Sequence, residues 1–184
     1  MDEPPVVAML DASALFPAVL CDTLLTVAQA GVYVPVWSEE ILTELARNLG
    51  ARIGDQPATR RIQEMRIAFP EAVTSGFDDL IPALTNHPKD RHVLAAAIMQ
   101  DADRIVTVNL RDFPVAALSP FGIMAKSPDE FLSDLFADLR DEVYEALERQ
   151  VARYRRPPTT MSGLLEQLNV HAPGFADQIR RWRR

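Results

Sequence analysis

The sequence has one cysteine, no glycine-rich phosphate loop and no apolar run approaching the roughly 20 residues of a membrane span. A single cysteine, Cys21, excludes an intrachain disulfide and a cysteine metal cluster, and its setting in AVLCDTLL predicts a packed helical residue rather than a nucleophile. The seven glycines are scattered and form neither a Walker nor a dinucleotide pattern. The acidic N-terminus, MDEPPVV, is unlike a secretory signal, so we expect a cytoplasmic protein without a membrane partner.

Basic residues are also scarce. The chain has 19 Lys and Arg against 26 Asp and Glu, a net charge of −7, which at first argues against a polyanionic partner. The imbalance is local: residues 1–139 hold 10 basic and 20 acidic residues, whereas residues 140–184 hold 9 arginines and 6 acids. The acidic excess in the first part therefore requires an explanation.

What is present is the pattern of an α/β protein. Apolar content of 48% and charged content of 24% are typical of globular domains. Short β-branched runs alternate with amphipathic helical segments, and this alternation predicts a mostly parallel sheet. The predicted strands are 6–10, 32–36, 71–75, 104–108 and 122–126. The predicted helices are 13–30, 39–49, 57–69 and 90–100, with Ser38 as an N-cap and Gly50 as a stop. Pro35 suggests that the second strand ends there or lies at an edge.

The last part of the chain is predicted to be helical throughout. Ser127, Pro128 and Glu130 have the spacing of a capping box with proline at the first helical position. Apolar residues then recur at helical intervals, and two short helices are predicted after Pro157 and Pro158. We therefore divide the chain into a domain at 1–126 and a helical extension at 127–184.

Acidic residues follow the predicted strands or lie in helices beside them. Asp11 ends the first strand, at the sheet edge where α/β proteins form their sites, but an N-cap role is equally reasonable. Asp90 lies in the first turn of its helix on the packing side, where a cap or a pairing with Lys89 or Arg91 is the alternative. Glu44 lies at the rim of a buried helix face, a position that is often solvated.

The stretch VTVNLRDFP carries the remaining candidates, Asn109 and Asp112. Both residue types are ordinary turn formers, so a purely local role is possible. Together with Asp11, Glu44 and Asp90, however, Asp112 would complete a cluster of acids that repels itself without a cation. Magnesium binds through carboxylates, water and substrate phosphate, so the chemical prediction is a metal site for phosphodiester cleavage.

Four segments, MLDASAL, SEEILTEL, KDRHVLAAA and IVTVNLRDFP, resemble in order and spacing the signature segments of PIN-domain ribonucleases, in particular VapC-like toxins. The helical tail resembles that of a longer PIN branch. The resemblance implies a three-layer α/β/α fold with a mostly parallel central sheet and a C-terminal helical extension. It also implies an endoribonuclease dependent on Mg²⁺ or Mn²⁺, whose catalytic and metal-binding acids would be Asp11, Glu44, Asp90 and Asp112.

The resemblance further places Ser13 and Thr107 beside these acids. Many PIN domains have an acid where this chain has Asn109, so the fourth ligand is either Asn109 or Asp112, and we favour Asp112 with Asn109 in support. It also implies an RNA substrate, a cognate antitoxin and a homodimer, as in type II toxin-antitoxin pairs. The alternative function is a PIN-fold regulator that binds RNA or protein without cutting.

Three other interpretations are less favoured. A phosphatase of the haloacid dehalogenase type would need an aspartate where Ser13 stands. The histidines, His87, His92 and His171, lack metal-ligand spacing. The terminal RRWRR could contact RNA, with Trp182 stacking on a base, but a solvated basic helix end is the simpler explanation. The RNA-binding residues are left unassigned.

Overall fold

The computed structural model describes residues 4–182 and is built around a five-stranded parallel sheet in the order β3-β2-β1-β4-β5. The strands are β1 Val7–Leu10, β2 Val34–Ser38, β3 Val73–Thr74, β4 Arg104–Val106 and β5 Met124–Lys126. The chain runs outward from β1 to β3 and then returns to β4 on the other side of β1. Because parallel crossovers are right-handed, this reversal places helices on both faces of the sheet. The predicted α/β/α fold with a parallel sheet is confirmed.

Ten α-helices connect and flank these strands within the described residues. In the first part they are α1 Ala12–Leu15, α2 Ala18–Gln29, α3 Glu39–Ile53, α4 Asp55–Ala68, α5 Arg91–Met99 and α6 Val115–Leu118. The tail contributes α7 Pro128–Asp138, α8 Arg140–Arg153, α9 Met161–Leu168 and α10 Pro173–Trp182. None of the described helices combines the length and apolar character needed to cross a membrane.

The prediction for the second strand was wrong, because β2 continues through Pro35 and lies between β1 and β3. The backbone groups of successive residues in a strand point to opposite neighbours. The Val34 amide donates to the Val6 carbonyl, just before β1, and the Trp37 amide donates to the Ala72 carbonyl, just before β3. The backbone of Pro35 faces β3 and has no amide hydrogen to donate, but β2 and β3 pair only from Trp37 onward. The proline removes no ladder hydrogen bond at this position.

Two predicted helix boundaries were also wrong. The first predicted helix is two helices, α1 and α2, separated at Pro17, which cannot donate a helical hydrogen bond. Helix α3 does not stop at Gly50 but reaches Ile53 and ends at Gly54, whose positive φ of 91° suits glycine. Gly50 lies next to the exposed Asp55 side chain, and a Cβ at Gly50 would lie 2.6 Å from its Oδ1.

The tail begins as predicted, with a capping box in which the Ser127 hydroxyl accepts from the Glu130 amide and Glu130 accepts from the Ser127 amide. Its helices pack together through aromatic residues, and the Trp182 ring lies 5.7 Å from that of Phe136 and 5.1 Å from that of Tyr144. Trp182 thus packs within the extension rather than extending from it, and residues 183–184 of the RRWRR segment lie outside the described part. The division at residue 126 stays a prediction.

A polar network joins the extension to α2. The buried hydroxyl of Thr23 donates to the Gln150 side chain at 2.9 Å, and the amide of Gln150 donates to the Tyr154 hydroxyl at 3.1 Å. Tyr154 in turn donates to Asp22 at 2.5 Å, and Arg153 donates to Asp22 at 2.7 Å. Both Thr23 and Gln150 are fully buried, so bulk water cannot replace the hydrogen bond between them.

We expect a Gln150→Leu substitution to lower the free energy of unfolding by about 1–3 kcal/mol, because it leaves the buried Thr23 hydroxyl without an acceptor. Urea unfolding of the full chain measures this change. A Thr23→Val/Gln150→Leu pair removes both partners and should recover much of the loss. A single variant as stable as the parent protein would contradict the importance of this network.

Candidate metal site

Asp11 is held at the end of β1 by two hydroxyl groups. The Ser13 hydroxyl donates to Asp11 Oδ2 at 2.5 Å, and Thr107, at the end of β4, donates to the same oxygen at 2.8 Å. The Val108 and Asn109 amides donate to these two hydroxyl oxygens, at 3.2 Å and 3.0 Å respectively. Asp11 is buried, and among the described residues Oδ1 accepts no hydrogen bond. That oxygen is therefore available to a ligand.

Asp11 and Asp90 both occupy N-cap positions, yet neither caps its helix. The Asp11 side chain makes no hydrogen bond to the backbone of α1, and the Asp90 side chain makes none to that of α5. The two basic neighbours of Asp90 also lie elsewhere: Lys89 is 3.8 Å from Glu44, and the Arg91 Nε donates to the Asn86 carbonyl at 3.3 Å. The structure therefore shows neither helix capping by Asp11 or Asp90 nor pairing of Asp90 with Lys89 or Arg91.

Asp90 lies in a group of three side chains that could hold an ion. Donor atoms of His87, Asp90 and Asp112 all lie within 4.8 Å of one another. The His87 Nδ1 is 3.5 Å from Asp90 Oδ2, and the His87 amide donates to the Asp112 carbonyl at 3.1 Å. Two ligands on one ion at roughly 2.1 Å are up to about 4.2 Å apart, so modest side-chain movement would let all three bind together.

The carboxylates repel one another at this point. Burial raises the pKa of the Asp90 carboxyl above its ordinary value, and the negative charges of Asp11 and Asp112 raise it further. The charges of Lys89 and His87 act in the opposite direction but do not cancel the increase. A buried acid with a raised pKa and no ion pair to Lys or Arg is the setting that a cation would stabilise.

Glu44 is at the rim of the α3 buried face, as predicted, and the face consists of Ile41, Leu42, Leu45 and Leu49. Its carboxylate contacts Lys89 and does not join the group of His87, Asp90 and Asp112. Asp11 also lies outside that tight group, although its charge acts on Asp90. The structure therefore brings three acids, Asp11, Asp90 and Asp112, into electrostatic contact and leaves Glu44 paired with a lysine.

Among the described residues, the turn after β4 is held without hydrogen bonds from the side chains of Asn109 and Asp112. The Asp112 amide donates to the Asn109 carbonyl at 2.9 Å, and the Asn109 side chain makes no capping hydrogen bond. Asn109 is exposed, whereas Asp112 is half-buried beside Asp90. Of the two, Asp112 is the one whose carboxylate belongs to the acidic group.

Sequence reasoning missed His87. Its distance along the chain from the other histidines gave no ligand pattern, and the relevant signal was its position three residues before Asp90, in the turn that precedes α5. Imidazole is a ligand that Mn²⁺ and other transition metals accept alongside carboxylates. His87 is therefore a candidate nitrogen donor next to the carboxylate oxygens.

The site lies at the carboxyl ends of β1 and β4, where the chain reverses direction across the sheet and where α/β proteins bind ligands. This fold, with acids at this edge, defines a class of nuclease-like domains, and the PIN domain family matches residues 7–111. The chain belongs to the PIN-domain family. The VapC50 C-terminal domain family matches residues 128–181, which comprise nearly all of the helical extension.

One relative indicates which members of the family this chain resembles. A Mycobacterium tuberculosis protein named "Putative ribonuclease VapC50" is 47% identical to this chain over 111 residues. The match covers 60% of this chain and 65% of the relative, so the chain spans slightly less than two thirds of that protein's length. No solved structure is significantly similar to the chain.

Proposed function

We propose that the protein is a divalent-metal-dependent endoribonuclease that hydrolyses RNA phosphodiester bonds. The observation that carries the proposal is the mutually repelling set of Asp11 and Asp90, both buried, and the half-buried Asp112, in which neither Asp11 nor Asp90 caps the helix it precedes. Membership of the PIN-domain family and similarity to a VapC50 protein support it. Glu44 is included as a fourth acid, one that would have to leave Lys89 to take part.

The donor set fits Mg²⁺ or Mn²⁺. Carboxylate oxygens are the protein ligands that Mg²⁺ prefers, and the neighbouring imidazole of His87 is compatible with Mn²⁺. A divalent ion bound there would polarise the scissile phosphate and lower the pKa of an attacking water. The proposed ligands are Asp11, Asp90 and Asp112, with Glu44 and His87 adjoining them.

The protein's own residues prepare this site before an ion binds. Ser13 and Thr107 hold Asp11 Oδ2 from two sides, which fixes the carboxylate and directs Oδ1 away from the hydroxyl pair. Backbone hydrogen bonds shape the turn 109–112, and the Asp112 carboxylate lies beside Asp90. Ligands held this way need little reorganisation when an ion binds, which favours both affinity and rate.

A comparison of the parent protein with Asp11→Asn tests the proposal. We expect the parent to cut RNA with Mg²⁺ or Mn²⁺ and to stop in excess chelator, while Asp11→Asn loses at least about 100-fold in rate, since a bound ion contributes several kcal/mol. Ser162→Ala, a change in the extension, serves as the control. Cutting that persists undiminished in chelator, or in Asp11→Asn, would refute a metal-dependent mechanism.

The biological role follows from the same relationship. We propose that the protein is the toxin of a type II toxin-antitoxin pair, acts in the cytoplasm as a homodimer, and is inhibited by an antitoxin that covers the acidic site. A dense acidic cleft attracts Arg or Lys side chains, so the inhibitor would present one of these. Metal-independent RNA binding without cleavage over a broad panel of RNAs would instead select the regulatory alternative.

A further inference from the structure

We propose that the cleft between the start of α2 and the loop joining α8 to α9 binds the phosphate backbone of single-stranded RNA beside the acidic site. The inference rests on the proposed ribonuclease function and assigns part of its substrate-binding surface. The cleft has a volume of about 880 Å³ and is lined by Ala18 and Val19 of α2 and by Arg155, Arg156 and Thr159 of the loop. A space of this size suits a few nucleotides of one strand.

The charge of the cleft is opposite to that of the chain as a whole. Arg155 and Arg156 are exposed, and within residues 4–182 their side chains form no ion pair or hydrogen bond. The acid that lines the cleft, Asp22, already accepts hydrogen bonds from Arg153 and Tyr154. Two guanidinium groups are therefore left without a counterion in a chain whose net charge is −7. Guanidinium matches phosphate in both charge and geometry.

The topology places the start of α2, which lines the cleft, at the same edge of the sheet as the acids. Helix α2 begins at the carboxyl ends of the strands, and its first residue, Ala18, is seven positions after Asp11. The first amides of α2 have no helical acceptor and add a favourable field for an anion. RNA approaching Asp11, Asp90 and Asp112 is repelled by them, so cationic contacts beside them are needed to hold the strand.

The loop is fixed to α2 at its base. Arg153 donates to Thr26 Oγ1 at 2.6 Å, and the Tyr154 hydroxyl donates to Asp22 at 2.5 Å, so the residues that precede Arg155 are held on the nuclease domain. This attachment holds the base of the loop, immediately before Arg155 and Arg156, beside α2. An acidic peptide of a partner protein would also be attracted to Arg155 and Arg156. We favour RNA because a substrate strand must reach both these arginines and the acidic site, whereas a peptide need not.

Binding of a fluorescein-labelled single-stranded RNA to the full chain in EDTA tests the proposal by anisotropy. We expect R155A/R156A to bind at least about tenfold more weakly than the parent, and the slope of log affinity against log salt to become shallower by about 1.4, or 0.7 for each lost phosphate contact. The control R140A/R149A removes the same charge from two exposed arginines of α8 and should bind within about twofold of the parent.

Unchanged affinity and slope in R155A/R156A, or equal losses in both double variants, would overturn the proposal. All four positions are exposed, so matching unfolding temperatures will exclude a folding defect. Because EDTA prevents any metal-dependent cleavage, the result does not depend on the nuclease function. If the parent protein needs Arg155 and Arg156 to bind RNA but does not cut it, RNA binding in the cleft is supported and only the ribonuclease function is refuted. In a parent that does cut, R155A/R156A should raise KM and leave kcat unchanged.

Discussion

An Asp90→Asn variant should lose at least about 100-fold in metal-dependent RNA cleavage and yet, without metal, unfold at a higher temperature than the parent protein. The loss of cleavage and the gain in stability both come from removing the negative charge of Asp90. Burial and the charges of Asp11 and Asp112 disfavour the ionised Asp90 carboxylate in the folded protein, and the amide removes that charge. The substitution also breaks no helix cap, because the Asp90 side chain makes no capping hydrogen bond.

The pH dependence of this stabilisation has a defined sign. Because the folded state raises the pKa of Asp90, it holds the proton more tightly than the unfolded chain, whose aspartates titrate near about 3.9. The parent is therefore relatively most stable below that pH and loses stability as pH rises through the pKa of the folded state. The advantage of Asp90→Asn should be present at pH 7 and shrink toward pH 3.

Thermal unfolding with and without Mn²⁺ measures both parts of this prediction. Metal should raise the unfolding temperature of the parent and have little effect on Asp90→Asn, since a ligand stabilises only the state it binds. Asp79→Asn, at an exposed aspartate without an ion pair among the described residues, is the matched control and should behave like the parent. If Asp90→Asn were less stable than the parent at neutral pH, Asp90 would be a structural residue.

The extent to which this site could be predicted from the sequence depends on how local each interaction is. Strand ends and helix faces can be read from periodicity, so the positions of Asp11, Asp90 and Asp112 at one sheet edge followed from the pattern. The capping box at Ser127 was also predictable, because both its partners lie within four residues. Long-range contacts could not be predicted: the pairing of Lys89 with Glu44 joins the turn before α5 to α3, far apart in the chain.

The errors have the same physical basis. Pro35 was expected at an edge because proline lacks an amide, and only the late start of β3 explains how a proline fits between two strands. Gly50 was expected to end α3, but the helix continues to Ile53, and the glycine with a positive φ that ends it is Gly54. The cleft containing Arg155 and Arg156 could not be predicted from the sequence, because it forms only where α8 packs on α2.

Asp112→Asn should reduce metal-dependent cleavage by at least about 100-fold, whereas Asn109→Ala should change it by no more than about threefold. The Asp112 carboxylate lies within 4.8 Å of the donor atoms of Asp90 and His87, and its charge acts on Asp90. The Asn109 side chain is exposed and makes no hydrogen bond among the described residues, while its backbone amide binds Thr107 whatever side chain it carries.

The comparison is informative because neither change removes a turn contact. Both the Asp112 amide and its carbonyl, which accepts from the His87 amide, are backbone groups that Asp112→Asn retains. An unfolding temperature no lower than that of the parent would therefore confirm that a loss of rate comes from the carboxylate and not from a folding defect, since removing the Asp112 charge also relieves the repulsion at Asp90. Single-turnover kinetics at saturating Mn²⁺ would separate a loss of chemistry from weaker metal binding. The reverse order of effects would transfer the ligand role from Asp112 to the Asn109 amide. In that case the acidic group would consist of Asp11 and Asp90 with an amide oxygen beside them, a weaker site for a divalent ion.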